Sequence, residues 1–278
     1  SRLGVLPSRD FSNTMTIHTE HFMTRQHELG PDRLVRVQCI CNYMEEAAGK
    51  HADSLGVGLA RLQKENLAWV LVKMRLCLNA RPGAECPVRV DTWPVSVERA
   101  QFRRDFLLFD ANDHVLATAV TQWVVMGTQS RKIERLPEYI MELQPENPPK
   151  AQDDGDIRIH AVQSEAVPGP VFPVRLADID QNLHVNNGRY VDFSLEAADV
   201  FMHGAPVHEP VASPAHTTAL PRQNLGRLDL IFRAEAVRGD EVCSYTQAEA
   251  AVPGSYVHSL RRRSDGAELA RSRTVFAP

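Results

Sequence analysis

Hydrophobic positions along the chain fall in short alternating blocks, and in each half of the sequence one helical block interrupts them. The first ten to fifteen residues show no periodicity and read as a loose arm. Strand-like material is expected over Met15–Phe22 and Arg33–Ile40. Asn42, a good N-cap residue, then precedes a stretch that closes at Gly56, which predicts a helix of about four turns. Tyr43, Ala47, Ala48, His51 and Leu55 fall on or near one side of it. Four strands are predicted next, Leu67–Asn79, Val88–Val97, Gln101–Asp110 and Val115–Met126, with turn-forming residues between them.

The second half repeats this order. A strand is expected at Val171–Leu176 and a helix from about Gly188 to Met202, preceded by Asn187. Strands follow at Arg227–Val237, Glu241–Ala251, Tyr256–Arg263 and Leu269–Phe276. Tyr43…Glu46-Ala47-Ala48 echoes Tyr190…Glu196-Ala197-Ala198, and Met74-Arg75 echoes Phe232-Arg233. A tandem duplication explains these echoes. Between the halves, Leu136 to Pro170 is rich in proline and holds the acidic run Asp153-Asp154-Gly155-Asp156, a linker that runs over the surface. One long helix against an antiparallel sheet, made twice, is an α+β tandem hotdog: two long helices packed on one continuous bent antiparallel sheet. The expected division is a first hotdog at 1–140, a linker at 141–169 and a second hotdog at 170–278.

Composition adds limits. The 278 residues carry 31 basic and 35 acidic side chains, a net charge of −4, which argues against general nucleic-acid binding. No run of residues is long and apolar enough for a membrane span. Five cysteines, without a CxxC pair, read as reduced packing residues in a reducing compartment. The chain begins at Ser1 rather than Met, so the natural start is expected upstream. What is present has no apolar signal core, and the cytoplasm is the expected location.

The chemistry concentrates in Asp178-Ile-Asp180-Gln-Asn182-Leu-His184-Val-Asn186-Asn187-Gly-Arg-Tyr190. In an extended segment Asp180, Asn182 and His184 project to one side. A carboxylate there sets the charge and tautomer of an imidazole, and an amide donates to a carbonyl oxygen. The helix that follows points its free amides and positive dipole end at the same place. By alternation Glu235 lies on the polar face of its strand. It reads either as a solvated carboxylate or as a base that approaches His184 and activates water. No His, Cys or acid grouping has metal-ligand spacing.

The stretch Asp180 to Tyr190 resembles the acyl-acyl-carrier-protein thioesterases of plants and their bacterial relatives. Asn66-Leu-Ala-Trp69-Val, Val90-Asp91-Thr92-Trp93, Arg103-Arg104-Asp105-Phe106 and Trp123-Val-Val-Met126 resemble that family's first half in order and spacing, and Leu230-Ile-Phe-Arg233-Ala-Glu235 resembles its glutamate-bearing stretch. The resemblance covers about Met15 to Phe276. It implies hydrolysis of fatty acyl thioesters in fatty acid biosynthesis, without a metal or organic cofactor, and a catalytic set of Asp180, Asn182, His184 and Glu235. Ala236 stands where some members have a cysteine, so a Cys–His mechanism is not expected.

The first half carries Val37-Gln-Cys39-Ile-Cys41-Asn42 before its helix, and aligning Arg75 with Arg233 sets Cys77 opposite Glu235. That half therefore reads as catalytically empty and as the binder of the acyl chain. Asn186, Asn187, Tyr190, Met74, Leu76 and Trp69 are the candidate substrate contacts, with Leu78 and the helix around Met44–Ala48 as further tunnel wall. An acidic acyl carrier protein is the expected partner, docking on clusters such as Arg103 and Arg104 or Arg131 and Lys132. The protein is expected to be a monomer, with the two halves as a pseudo-dimer, or a homodimer. The other readings are an acyl-CoA thioesterase, a hotdog hydratase or dehydratase, and a non-catalytic acyl-binding protein.

Overall fold

The computed structural model describes residues 17–152, 156–204 and 224–277; the expected arm, Asp153, Asp154 and His208 lie outside them. In chain order the elements are β1 (His18–Met23), α1 (Val37–Ser54), α2 (Leu59–Lys64), β2 (Leu67–Leu78), β3 (Pro87–Glu98), β4 (Gln101–Phe109), β5 (Val115–Gly127), β6 (Ile133–Glu134) and α3 (Glu138–Met141). Then come β7 (Val167–Pro173), α4 (Asn187–His203), β8 (Leu225–Phe232), β9 (Glu241–Ala248), β10 (Ser255–Arg262) and β11 (Glu268–Phe276).

One antiparallel sheet runs β1-β3-β4-β5-β2-β8-β11-β10-β9-β7, with β6 appended to β5. This is the tandem hotdog. Each half brings a sheet edge that a single hotdog leaves open, and the β2–β8 pair closes one edge on the other. Met74 stands opposite Leu230 and Leu76 opposite Leu228 on the face that carries the helices. Arg75 and Asp229 are opposite each other on the other face, with Arg75 Nε 2.9 Å from the carboxylate. The main core lies between α1, α4 and the sheet, and it includes Ile40, Met44, Ala47, Tyr190, Val191 and Phe193. A second cluster under α2 and α3 holds Leu62, Phe102, Leu136 and Ile140.

The helices approach closely where α4 begins. A Cβ on Gly188 would sit 2.9 Å from Gln38 Cγ and 3.1 Å from Asn42 Oδ1, so a larger residue there would have to displace the α1 side chains.

Four expectations about the elements are corrected. Arg33–Ile40 is not a strand: a turn covers Pro31–Leu34, and α1 starts at Val37, six residues before Tyr43. Residues 37–41 are the first turns of α1, where Val37, Ile40 and Cys41 are buried in the helix–sheet core, and packing overrides the β-branched character of Val37 and Ile40. The strand before α4 is Val167–Pro173, and Leu176 belongs to a 3-10 turn, Leu176–Asp178. β8 ends at Phe232, so Glu235 is on a loop and not on a strand face. The segment between the halves is more than a surface strap. Ile157 and Ile159 are buried, and Arg271 donates to the Ile159 carbonyl at 3.0 Å. No helix is long and apolar enough to cross a membrane, among the described residues.

Candidate active site

Asp180, Asn182 and His184 do not lie on an extended segment. The chain leaves the 3-10 turn at Ile179, reverses through Gln181–His184 and returns at Val185, which bridges back to Ile179. Leu183 takes φ 67°, and the Asp180 amide donates to the His184 carbonyl at 2.9 Å. An Asx turn holds the tip: Asp180 Oδ1 accepts from the Asn182 amide at 2.8 Å, and Oδ2 is 3.5 Å from Asn182 Nδ2. Asp180 therefore orients Asn182, where the sequence pattern assigned it to the imidazole of His184.

The imidazole has a different carboxylate. His184 Nε2 lies 3.4 Å from Glu235 Oε1, and the other oxygen of Glu235 is paired with Arg131. The loop bearing Glu235 is clamped from both sides. Arg262 Nη2 donates to the Glu235 carbonyl at 2.6 Å, and the Val185 amide donates to the Ala236 carbonyl at 2.9 Å. The Val185–Ala236 main-chain bond fixes the reversing turn against the loop, so two segments far apart in sequence deliver His184 and Glu235 together.

Asp178, quoted only as part of the motif, anchors the turn from below. It is buried and accepts from the Arg175 amide at 2.8 Å and from Arg175 Nε and Nη2 at 3.1 and 3.0 Å. Burial pushes its carboxyl up. The Arg175 bonds and the Arg189 charge outweigh that and hold it below the usual range.

Beside the start of α4 a small pocket of about 30 Å³, partly open to solvent, lies between helix and sheet. Asn187, Gly188 and Val191 of α4 face Cys41, Met44 and Glu45 of α1 across it. The sheet contributes Leu71, Met74, Phe106, Thr121 and Trp123. Of the expected substrate contacts, Met74 and Asn187 line this pocket. Leu76 is buried in the core. Trp69 belongs to the second cluster, tilted on Phe102 with its Nε1 donating to the Val57 carbonyl at 2.9 Å. Asn186 is spent as the α4 cap, accepting from the Gly188 amide at 2.8 Å. Tyr190 is buried edge-on against Phe193 and Phe232 and braces the site from behind. Leu71 and Trp123 also line the pocket and were not among the expected substrate contacts, whereas Glu45 and Met44 belong to the helix stretch expected as tunnel wall. Desolvation in the pocket wall pushes the Glu45 carboxyl up, and the negative charge of Asp180 adds to it.

The expected docking arginines separate. Arg104 is buried, 3% exposed, with Nη1 2.8 Å from His51 Nδ1 and 3.2 Å from Thr92 Oγ1, so it cannot meet a partner. Arg103 is tied to the buried Asp105 at 3.2 Å. Arg131 is engaged on Glu235, and Lys132 is exposed. No group of three or more His, Cys, Asp or Glu side chains is placed to hold a metal ion, among the described residues.

The two halves superpose in hydrogen-bond pattern. The Leu29–Val35 bridge matches the Ile179–Val185 bridge, and Arg33 has φ 62° where Leu183 has 67°. The Val35 amide bonds the Pro82 carbonyl as Val185 bonds Ala236, at 2.8 and 2.9 Å. Phe22 stacks on Tyr43 as Phe172 stacks on Phe193. Counting from these anchors, Gly30, Asp32, Leu34 and Arg81 occupy the positions of Asp180, Asn182, His184 and Glu235. The equivalent of Glu235 is thus Arg81 and not Cys77. The equivalent of the Asp180–His184 stretch lies at residues 30–34, upstream of Val37–Asn42. Tyr43 corresponds to Phe193 and not to Tyr190.

Comparison with known proteins agrees with this architecture. The chain matches the family model described as acyl-ACP thioesterase N-terminal domain over residues 15–143, and the C-terminal domain model over residues 161–206. It is 27% identical over 277 residues to a chloroplastic acyl-carrier-protein hydrolase of Cuphea viscosissima, covering 94% of this chain and 63% of that one. It is 28% identical over 281 residues to the chloroplastic palmitoyl-acyl carrier protein thioesterase of Arabidopsis thaliana, covering 94% and 64%. The chain thus spans just under two thirds of these relatives' length. Among solved structures, the 12:0-ACP thioesterase of Umbellularia californica superposes with a TM-score of 0.74 at 24% identity, covering 96% of this chain and all of that one. An acyl-ACP thioesterase of Bacteroides thetaiotaomicron gives 0.73 at 22% identity, covering 94% and 98%. At these identities the two structures establish the shared fold.

Proposed function

The chain belongs to the acyl-ACP thioesterase family, and on that premise we propose that it hydrolyses fatty acyl thioesters on acyl carrier protein, releasing the free acid and the carrier thiol. The observation that carries this reading is the His184–Glu235 pair, 3.4 Å apart, with His184 on the turn that leads into α4, whose first residues line an apolar pocket. A thioester is already an activated acyl group. A positioned base and a carbonyl-polarising donor suffice to open it.

In this mechanism the acyl chain enters between α1 and the sheet, past Met44, Met74 and Phe106. Glu235 takes a proton from a water held against His184, and the hydroxide adds to the carbonyl carbon. The C–S bond breaks with its electron pair on sulfur, and the proton carried by the His184–Glu235 pair passes to the leaving thiolate. Asn182, set by Asp180, donates to the carbonyl oxygen as charge develops on it. The helix end contributes less than a bare N-terminus would, because Asn186 already takes the Gly188 and Arg189 amides.

The division of labour we propose is a catalytic second half, residues 170–278, and a first half, residues 1–140, that supplies acyl-binding wall, joined by the segment 141–169. Gly30, Asp32, Leu34 and Arg81 at the equivalent positions support this, since that set has no imidazole and its one carboxylate, Asp32, is paired with Arg81. Lys132 and the neighbouring exposed Arg135 are the docking contacts we propose for the carrier protein, together with the exposed Ile133. Free thiols at all five cysteines support a reducing compartment such as the cytoplasm.

Thiol release from a panel of C8 to C18 acyl-carrier-protein and acyl-CoA thioesters tests the activity. The expected result is release from carrier-borne substrates with a preferred chain length. Tight binding of acyl carrier protein without release would replace the enzyme by a binding protein.

A further inference from the structure

The partner of Glu235 that the sequence placed on a docking surface is Arg131, and it comes from the other half of the chain. It sits in the turn after β5, at φ 54°, where its amide donates to the Gly127 carbonyl at 2.9 Å. The same turn is tied down by the Thr128 amide on the Asn66 carbonyl at 2.8 Å and by Ser130 Oγ on Glu134 at 2.9 Å. The Arg131 main chain is therefore held, and its guanidinium reaches across to one oxygen of Glu235 while the other faces His184. Glu235 itself lies beyond the end of β8, where no strand ladder restrains it, and the Arg262 clamp acts on its carbonyl and not on its side chain.

We propose that Arg131 is a positioning residue of the active site: it fixes the carboxylate rotor of Glu235 so that one oxygen is presented to His184 and the attacking water. A carboxylate with free torsions would divide its time among orientations, and a base is effective only in the one that reaches its proton. An Arg–carboxylate pair supplies the missing restraint with directional donors. The first half, which lacks a catalytic set of its own, would thereby complete the site of the second. This inference rests on the thioesterase reading.

The test uses the full chain and two substrates, an acyl-carrier-protein thioester and the same acyl group on N-acetylcysteamine, which has neither carrier nor phosphate. Arg131→Ala is expected to lower kcat about 10- to 100-fold on both, with KM within about threefold of wild type. Arg131→Lys, and added guanidinium with Arg131→Ala, are expected to restore part of the rate. Thermal unfolding checks that each variant is folded. A rise in KM confined to the carrier-borne substrate would make Arg131 a docking residue and overturn the proposal. An unchanged kcat on both substrates would overturn it as well. If the wild type releases no thiol from either substrate, the thioesterase reading itself has failed.

Discussion

Arg81 and Asp32 form an ion pair in the first half at the positions that Glu235 and Asn182 hold in the second. The turn geometry is the same and the chemistry is different: a cation stands where Glu235 does, and a carboxylate stands where Asn182 does. Arg81 also donates to the Val35 carbonyl at 3.2 Å, so it staples the turn to the loop that follows β2. The pair is mostly shielded, with side chains 12% and 11% exposed. Arg81→Ala is expected to destabilise the fold by roughly 1–3 kcal/mol, between the values for surface and buried pairs. A urea midpoint measures this, and a stability equal to wild type would contradict it.

His184 and Asp180 have separable roles in this geometry, because Asp180 holds Asn182 and Glu235 faces His184. His184→Ala is expected to lower kcat by at least about 100-fold. Asp180→Ala is expected to lower it by about tenfold through a loosened Asn182. Equal losses in the two variants would indicate that Asp180 acts on the imidazole after all.

Asp229 is fully buried and meets Arg75 Nε at 2.9 Å, Arg227 Nε and Nη2 at 3.0 and 2.6 Å and Arg273 Nη1 at 3.5 Å. It lies on the strand pair that joins the halves. Removing it leaves three cations around an uncompensated hole, so Asp229→Ala is expected to cost about 3–5 kcal/mol. A thermal melt that is unchanged in Asp229→Ala would show that the junction is held by its apolar face alone.

Stability should fall as the solution is acidified, well before the carboxylates titrate. Burial pushes His258, between Thr246 and Thr274, down to about 3, and it pushes His51 to about 3 with help from the Arg104 and His18 charges. The ordinary value is 6.5. Between these values the unfolded chain binds a proton at each site that the folded chain refuses. The stability is therefore fully present above about 6.5 and lost progressively toward 3, at up to about 1.4 kcal/mol per pH unit for each histidine. Urea midpoints between pH 7 and 4 should slope less steeply in His258→Asn than in wild type. Parallel slopes would refute the assignment to His258.

Much of this was legible in the sequence because periodicity and turn residues mark strands directly. β2, β3, β4 and β5 fall within one or two residues of their predicted bounds, and so does α4, whose Asn186 cap is a local signal. α1 was placed late because its true N-cap, Arg36, makes no side-chain cap and Asn42 imitates one within the helix. Glu235 looked like a strand residue because Ala234 and Ala236 continue the alternation of β8, whereas the ladder stops at Phe232 and Ala234 turns back to bond Leu269. The four catalytic candidates were readable as residue types. The assignment of Asp180 to Asn182 was not, since it depends on a turn with a left-handed Leu183, and the approach of Glu235 to His184 stood only as one of two readings of that carboxylate. Arg131 is a still longer-range case: nothing local marks a surface arginine as the neighbour of a base 104 residues away.

Glu235, facing His184, is the base we propose to open an acyl thioester. The direct measurement is thiol release by wild type and Glu235→Gln, side by side, on the preferred acyl-carrier-protein substrate. One thiol and one free fatty acid per turnover are expected in the wild type and a rate at least about 100-fold lower in the variant, with its melting temperature retained. A folded Glu235→Gln variant that turns over at the wild-type rate would contradict it.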